Sequence, residues 1–460
     1  MKIYIGNLKE NYYYGVYNLL KMIYPDIEVL KEENKSDISY NFEINENEVS
    51  VIRNKKRISE NIVENNIPLT LKRIIYKAEN KKLPFGIMTG IRPSKTVLEY
   101  KENQKEILEK LYFLEPQKAW VSYECAMAEK KLSQSLKRKT VSLYINIPFC
   151  PTRCAYCSFT MSNVKTSQQL VDNYFEALMK DLEYTSELFE KMTISVHSIY
   201  IGGGTPTILN ENQLDRLTSA VSQYFKGFSE FTVEAGRPDT INSEKMNILF
   251  KNNVTRVSIN PQTLNQKTLD KIGRRHTVEQ FFEAYQYAKE AGFENINTDL
   301  IAGLQDESVD DFKNTFEKIL SLSPHSITVH TLCKKRTSSM ENSATYDDNV
   351  IGEMLNYVYK RVKDIYHPYY IYRQKNAVGS YENVGFVKDE NICAYNLIMM
   401  QEIGSVVSVG AGGTSKLIDF ESKIPFSKLR TDKQAHTYIE NLDEILKKKE
   451  LFLKTGKDRI

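Results

Sequence analysis

The stretch that decides the fold is VSLYINIPFCPTRCAYC, residues 141–157. It begins with an apolar run that predicts a buried strand, and it continues into three cysteines spaced CxxxCxxC, at Cys150, Cys154 and Cys157. Soft thiolates on one loop prefer iron–sulfur clusters or zinc to hard cations. Three protein ligands leave one iron of a four-iron cluster open to another group, whereas structural zinc normally takes a fourth Cys or His. The spacing favours a [4Fe–4S] cluster over zinc and over inert buried thiols.

Beyond this loop, strands alternate with helices. Short apolar runs bounded by turn residues predict strands at 141–147, 198–201, 231–233, 254–259, 296–301 and 327–329. Amphipathic stretches between them predict helices at 170–189, 213–225, 243–250, 278–291 and 309–320. The alternation predicts an α/β fold with a parallel sheet that is either flat or curled into a partial barrel.

Polar residues follow the ends of these predicted strands. A GGGTP turn, 202–206, follows the second strand, and because glycine has no Cβ this turn is expected to bring backbone amides close to a ligand. Glu234 ends the third strand, the fourth leads to Gln262, and Asp299 lies on the fifth. Because barrel enzymes place their sites at the carboxyl ends of the strands, this edge is the predicted active site.

The cysteine loop with its flanking YINIPF, 144–149, resembles the radical S-adenosylmethionine (SAM) superfamily, and within it the oxygen-independent coproporphyrinogen III oxidase-like family. GIMTGIRPSK (86–95), YIYRQKN (370–376) and GAGGTSK (410–416) look like motifs of its long subgroup, called coproporphyrinogen dehydrogenase. With these motifs the resemblance covers nearly the whole chain. It implies a partial parallel (β/α)6 barrel of the radical SAM type, with a [4Fe–4S] cluster and SAM as cofactors.

The resemblance also implies which residues bind them. The cluster would be held by Cys150, Cys154 and Cys157. The implied cofactor-binding residues are Tyr144, Tyr156, Gly203, Gly204, Thr205, Glu234, Gln262, Arg274 and Asp299. The predicted catalytic residues are Tyr144, Gln262 and Arg274. These residue types suit SAM, because its ammonium group needs a carboxylate, its carboxylate needs a cation, and its hydroxyls pair with amides or carboxylates.

Three domains are predicted. Residues 1–136 form an α+β accessory domain with strands at 2–5, 27–30, 38–44 and 49–52 and helical stretches at 14–23, 70–80 and 104–136. Residues 137–345 form the barrel, entered through a polar, basic run at 133–140. Residues 346–460 form a C-terminal α/β extension that is expected to cover the substrate.

Composition limits the partners. The 460 residues carry 62 Lys and Arg against 59 Asp and Glu, so the net charge of +3 argues against a nucleic-acid partner. The sequence has no apolar run of the ~18–20 residues that a membrane span needs, and its start lacks a secretory signal. A cytoplasmic protein is expected.

The resemblance implies a radical SAM oxidoreductase that decarboxylates the propionates of coproporphyrinogen III to vinyl groups, giving protoporphyrinogen IX for haem biosynthesis. Its partners would be this tetrapyrrole and an electron donor such as flavodoxin or ferredoxin. Phe159 is shared with relatives regarded as haem chaperones, so a haem-binding or haem-delivery protein is one alternative. A tRNA-modifying radical SAM enzyme is another. The substrate-binding candidates are Lys334, Lys335, Arg336, Tyr370, Tyr372, Arg373 and Lys375.

Overall fold

The computed structural model describes residues 1–157, 162–163, 167–333, 348–374 and 381–460. Several predicted residues lie outside this described part: Phe159, Lys334, Lys335, Arg336 and Lys375. The chain forms two compact units, Met1–Tyr123 with Tyr381 and the remainder from Glu124 to Ile460. The three-domain division stays a prediction.

The first unit is a five-stranded sheet with helices. Its strands are β1 (Lys2–Gly6), β2 (Glu28–Leu30), β3 (Ile38–Ile44), β4 (Glu48–Arg53) and β5 (Lys56–Asn61), in the order β2-β1-β3-β4-β5. The helices are α1 (Glu10–Ile23), α2 (Ile67–Glu79), α3 (Pro93–Leu98), α4 (Gln104–Lys110) and α5 (Pro116–Ser135), of which α5 runs on into the second unit. The single helix expected over 104–136 is wrong, because Phe113 has a left-handed backbone (φ 61°) and Pro116 starts a new helix.

Six parallel strands form the centre of the second unit, as predicted. They are β6 (Thr140–Ile147), β9 (Ser195–Gly203), β10 (Glu230–Glu234), β11 (Arg256–Ser258), β12 (Ile296–Ala302) and β13 (Ser326–Thr331), and they neighbour one another in chain order. A separate two-stranded sheet, β7 (Phe149–Cys150) with β8 (Ser162–Asn163), includes the first cysteine. The α/β partial-barrel prediction is confirmed.

The helices that connect these strands are α6 (Gln168–Met192), α7 (Glu211–Tyr224), α8 (Ser243–Lys251), α9 (Gln266–Lys271), α10 (Val278–Ala291) and α11 (Val309–Leu322). Capping boxes start three of them, at Asn210, Thr277 and Ser308. Each box pairs two otherwise unsatisfied backbone groups, so the loop before the helix ends at a defined residue.

The C-terminal segment continues the same sheet at both edges. Its elements are α12 (Asp348–Val362), β14 (His367–Arg373), β15 (Glu382–Val387), α13 (Ala394–Gln401), β16 (Ser405–Val409), β17 (Thr414–Ile418), β18 (Pro425–Arg430), α14 (Ala435–Glu440) and α15 (Leu442–Gly456). The sheet order is β14-β15-β13-β12-β11-β10-β9-β6-β16-β17-β18, giving eleven strands. Because β16 is parallel to β6, the glycine-rich turn after β16 lies at the same edge as the cysteine loop.

The N-terminal ends of the barrel strands are closed by the segment before α13. Glu230, at the start of β10, accepts hydrogen bonds from the backbone N–H of Ala394 and from the Cys393 thiol. The ring of Tyr395 reaches further in and stacks on Tyr200, with ring centroids 4.6 Å apart. Residues at the start of α13 therefore pack against the inner strands β9 and β10.

Candidate active site

The predicted site residues meet where the parallel strands end. Across the sheet, Asn146 of β6 is level with Gly202 of β9, and Glu234 of β10 is level with Ser258 of β11. Residues at one level and two positions apart share a face of the sheet, so these side chains line one cavity. The structure thus brings together polar residues from separate strands.

Glu234 is the acid at the centre of this cavity. Burial, followed by the nearby Asp299 carboxylate, raises the pKa of Glu234 to about 8. A hydrogen bond from the Gly203 backbone and the charge of Arg274 oppose this shift less strongly. Two acids with little compensating positive charge favour a ligand that brings a cation, such as an ammonium group.

Asp299 is held by amides and lies beside a histidine. The Asn297 side chain donates to its carboxylate over 2.7 Å, and its backbone N–H donates to Asn260 Oδ1 over 3.2 Å. His330 Nε2 lies 3.5 Å from Asp299 Oδ2. Asp299 therefore has a fixed orientation toward the cavity, and His330 is brought to it from the neighbouring strand β13.

The glycine turn docks on the cysteine loop. The backbone N–H groups of Gly204 and Thr205 donate to the carbonyls of Ile147 and Phe149, each over 2.7 Å. A Cβ on Gly203 or Gly204 would collide with Asn146 or Phe149, and Gly203 has φ +107°. The glycines are thus required because the turn packs against the protein's own cysteine loop. The sequence interpretation had explained them by the approach of a ligand.

The three cysteines lie together on this docked loop. Cys150 and Cys154 are buried and Cys157 is half-buried, and burial raises the pKa of the Cys150 thiol to about 12, with the other two thiols adding to the shift. The Thr205 hydroxyl lies 3.1 Å from Cys150 Sγ.

The cysteine loop offers three thiolates, and the predicted metal groups are a [4Fe–4S] cluster and a zinc ion. In the described part of the chain, no three His, Cys, Asp or Glu side chains are grouped to hold one metal ion. A four-iron cluster binds each thiolate through a different iron, so its sulfurs need not converge on one point. The loop therefore fits the cluster better than a single zinc ion.

Arg274 joins three loops around the cavity. It donates to the Tyr156 hydroxyl over 3.0 Å, and its other terminal nitrogen donates to the carbonyls of Gly236 and Asn260. Its buried Nε has no hydrogen-bond partner among the residues described. Arg274 thus fixes the positions of neighbouring loops, and its role as a SAM contact and catalytic residue stays a prediction.

Gln262 is held in an unfavourable backbone conformation. Its φ of 68° is left-handed, and its N–H and carbonyl pair with Asp299 and Ile301 of β12. Such strain persists only where surrounding structure imposes it and is common at functional sites. The catalytic role predicted for Gln262 stays a prediction.

Tyrosines line the cavity below and beside the acids. Tyr144 donates to Asn146 over 2.9 Å, and its ring lies 6.2 Å from that of Tyr200 and 5.7 Å from that of Tyr395. On the Asp299 side, Tyr370 and Tyr372 stack with their rings 6.3 Å apart and nearly parallel. Burial, with Asp299 contributing, raises the pKa of both phenols, so they remain neutral hydrogen-bond donors.

Arg373 lies away from this cavity. It follows Tyr372 on β14 and is level with Glu382 of β15, so it occupies the opposite face of the sheet. Burial lowers its pKa to about 10, and Glu382 opposes that shift. The expectation that Arg373 contacts substrate is therefore not supported by its position.

Sequence reasoning missed Arg237, a buried residue beside the cysteine loop. Arg237, three residues after Glu234, pairs with Asp239 and contacts Thr152 and Cys154. His276 is fully buried, and both of its ring nitrogens lack hydrogen-bond partners in the described ranges. The position of Arg237, directly after a strand whose end carries a site acid, was a signal that could have identified it.

Comparison with known proteins agrees with this geometry. The model of the family described as Radical SAM superfamily matches residues 144–319, from within β6 to within α11, including the cysteine loop. The oxygen-independent coproporphyrinogen-III oxidase-like protein HemZ of Bacillus subtilis is 38% identical over 351 residues, 73% of this chain and 70% of that protein. The chain therefore belongs to the oxygen-independent coproporphyrinogen III oxidase-like family of radical SAM proteins, as predicted.

Two further matches are a relative with a different name and a solved structure. The heme chaperone HemW of Lactococcus lactis is 40% identical over 191 residues, 41% of this chain and 48% of that protein. The solved structure of coproporphyrinogen III oxidase HemN from Escherichia coli, described as a radical SAM enzyme, matches with a TM-score of 0.54 and 20% identity over 69% of this chain and 72% of that chain. This likeness supports the fold. The cofactors of the family are those predicted, a [4Fe–4S] cluster and SAM.

Within the described ranges, no helix is both long enough and apolar enough to cross a membrane.

Proposed function

We propose that this protein is a radical SAM oxidoreductase that converts propionate side chains of coproporphyrinogen III to vinyl groups. The observation that carries the proposal is the glycine turn after β9. Thr205 contacts Cys150 on one side of this turn, and the Gly203 backbone hydrogen-bonds to Glu234 on the other. A cofactor that links an iron of the cluster to the acidic cavity would extend along it.

The proposed cluster ligands are Cys150, Cys154 and Cys157. SAM would lie beside them, with its ammonium group near Glu234 and its hydroxyls near Asp299, where the cavity has excess negative charge. When bound, the reduced cluster and SAM supply a 5′-deoxyadenosyl radical that removes a hydrogen atom from the substrate. The role of the protein is to orient these groups toward each other.

The substrate surface we propose is the tyrosine wall of Tyr370 and Tyr372. Tyr372 is partly exposed, whereas Tyr370 is 3% exposed within an apolar cluster and packs beside it. The ring and the O–H group of Tyr372 are therefore the parts of this wall that can contact a propionate arm. His330, beside Asp299, is a further donor at the same side of the cavity. These features suit a large ring with carboxylate arms better than a small polar substrate.

A haem-binding or haem-delivery protein is the second candidate. The 40% identity to a relative named heme chaperone favours it, although that match covers 41% of this chain. Such a protein would bind haem without converting a porphyrinogen. The tRNA-modifying alternative is not favoured by the net charge of +3.

The test is anaerobic incubation of reconstituted protein with SAM, a reductant and coproporphyrinogen III, followed by oxidation and porphyrin analysis. The proposal expects vinyl products from the wild type and none from Cys150→Ala. A parallel haem titration by absorbance separates the alternatives. Stoichiometric haem binding without any propionate conversion would replace the decarboxylase proposal with the chaperone.

A further inference from the structure

Arg237 is a buried cation directed at the cysteine loop. It is 3% exposed, and it lies on the loop that follows β10. Its NH1 donates to the Thr152 hydroxyl over 3.0 Å and lies 3.7 Å from Cys154 Sγ, within the range of an N–H···S hydrogen bond.

The orientation of Arg237 is imposed by a second residue. Its Nε and NH2 donate to the two carboxylate oxygens of Asp239, each over 2.9 Å. This two-point pairing uses one edge of the planar guanidinium and leaves NH1 to face Thr152 and Cys154. A buried guanidinium costs free energy unless it is paired, and Asp239 supplies the pairing. The arrangement holds a positive charge beside Cys154 at a fixed distance.

We propose that Arg237 is a positioning residue that raises the reduction potential of the cluster by donating to Cys154. The inference rests on the proposed cluster, and it concerns uptake of one electron by that cluster from an external reductant, with no bond formed or broken. Reduction adds one negative charge. A nearby cation and a hydrogen bond to a ligand sulfur stabilise that added charge, so the cluster is easier to reduce.

Asp239 should act in the opposite sense. Its carboxylate lies on the far side of the guanidinium and opposes the added electron, but it also holds Arg237 in place. Replacing Asp239 by Asn keeps the size of the side chain and one acceptor oxygen for the guanidinium, and it removes the negative charge. Arg237 and Asp239 variants are therefore expected to move the potential in opposite directions, which a general loss of structure would not do.

The experiment uses the full chain, anaerobically reconstituted with iron and sulfide, without SAM or substrate. Midpoint potentials are measured by redox titration with visible absorption and electron paramagnetic resonance as readouts, alongside iron content. The variants are Arg237→Gln, Arg237→Lys and Asp239→Asn. The matched control is Arg216→Gln, because Arg216 on α7 also makes a two-point pairing, through NH1 and NH2, with both carboxylate oxygens of Glu176 on α6, and both side chains are exposed.

We expect Arg237→Gln to lower the ratio of reduced to oxidised cluster at least tenfold at a fixed potential, a shift of about 59 mV for one electron. Arg237→Lys should keep most of the wild-type ratio, Asp239→Asn should raise it, and Arg216→Gln should leave it unchanged. An unchanged midpoint in Arg237→Gln at full iron content would overturn the inference. If that variant loses its iron, an unchanged or lowered midpoint in Asp239→Asn would overturn it.

This design separates the inference from the proposed function. The titration contains no porphyrinogen, so failure to convert coproporphyrinogen III leaves the predicted shifts intact. Normal conversion together with unshifted potentials would refute the role of Arg237 alone. A wild-type protein that binds no iron–sulfur cluster would refute both.

Discussion

The raised pKa of Glu234 predicts that the cofactor-free protein loses stability as the pH rises. Its value moves from 4.5 to about 8 in the folded protein, chiefly through burial. Between these values the unfolded chain has released the proton while the folded chain retains it, so the free energy of unfolding falls as pH increases. Each tenfold change in proton affinity is worth about 1.4 kcal/mol, which sets an upper limit of about 5 kcal/mol. Since Glu234 is partly exposed to the cavity, we expect about 1–3 kcal/mol.

The assay compares wild type with Glu234→Gln, both prepared without cluster and SAM. Chemical unfolding is followed at pH 5, 6, 7 and 8. As the pH rises, the unfolding free energy of the wild type should fall relative to that of Glu234→Gln. Glu307→Gln is a useful comparison, because burial raises the pKa of Glu307 to about 7 and its effect should be complete at lower pH. If the unfolding free energies of wild type and Glu234→Gln differ by a constant amount from pH 5 to 8, the reasoning is refuted.

Three further predictions test other parts of the structure. Cys150→Ala should abolish the visible absorption of the reconstituted cluster, whereas Cys125→Ala, at a buried thiol on α5, should leave it intact; iron bound equally by both would contradict the assignment. Asp299→Ala should weaken SAM binding roughly 10–150-fold, because a partly desolvated charged contact is worth ~1.5–3 kcal/mol, and calorimetry showing wild-type affinity would place SAM elsewhere. Lys449→Met should lower stability by about 3–5 kcal/mol in chemical unfolding, since it leaves the fully buried Asp181 without its ion-pair partner, and a loss below 1 kcal/mol would show that the pair is dispensable.

The alternating strands and helices could be predicted because each parallel strand is an apolar run and each helix has one apolar face. The strands missed in the sequence lack that pattern. β5 is a polar edge strand with sequence KRISEN, and β15 lies in the sheet although ENVGFV shows no clear alternation. Neither β5 nor β15 can be recognised as a strand without knowing which strand pairs with it. The joining of β16 to β6 is a contact between residues distant in the chain, and local patterns do not encode it.

The sequence predicted which residues belong to the site better than it predicted their hydrogen-bond partners. Glu234 and Asp299 were recognised because they end or lie on predicted strands, and the structure brings them close enough to shift a pKa. The hydrogen bonds of Arg274 to loop carbonyls depend on three turns at once, so its sequence position could not show that its donors are already engaged. Arg237 was missed for a similar reason, because its direction depends on Asp239.

The most direct test of the central claim follows one hydrogen atom. Reconstituted protein is incubated anaerobically with SAM, reductant and coproporphyrinogen III deuterated on its propionate side chains, and the 5′-deoxyadenosine formed is analysed by mass spectrometry. The proposed function predicts 5′-deoxyadenosine carrying one deuterium, formed together with vinyl-containing porphyrinogen. Cleavage of SAM to unlabelled 5′-deoxyadenosine, with the propionates intact, would contradict it.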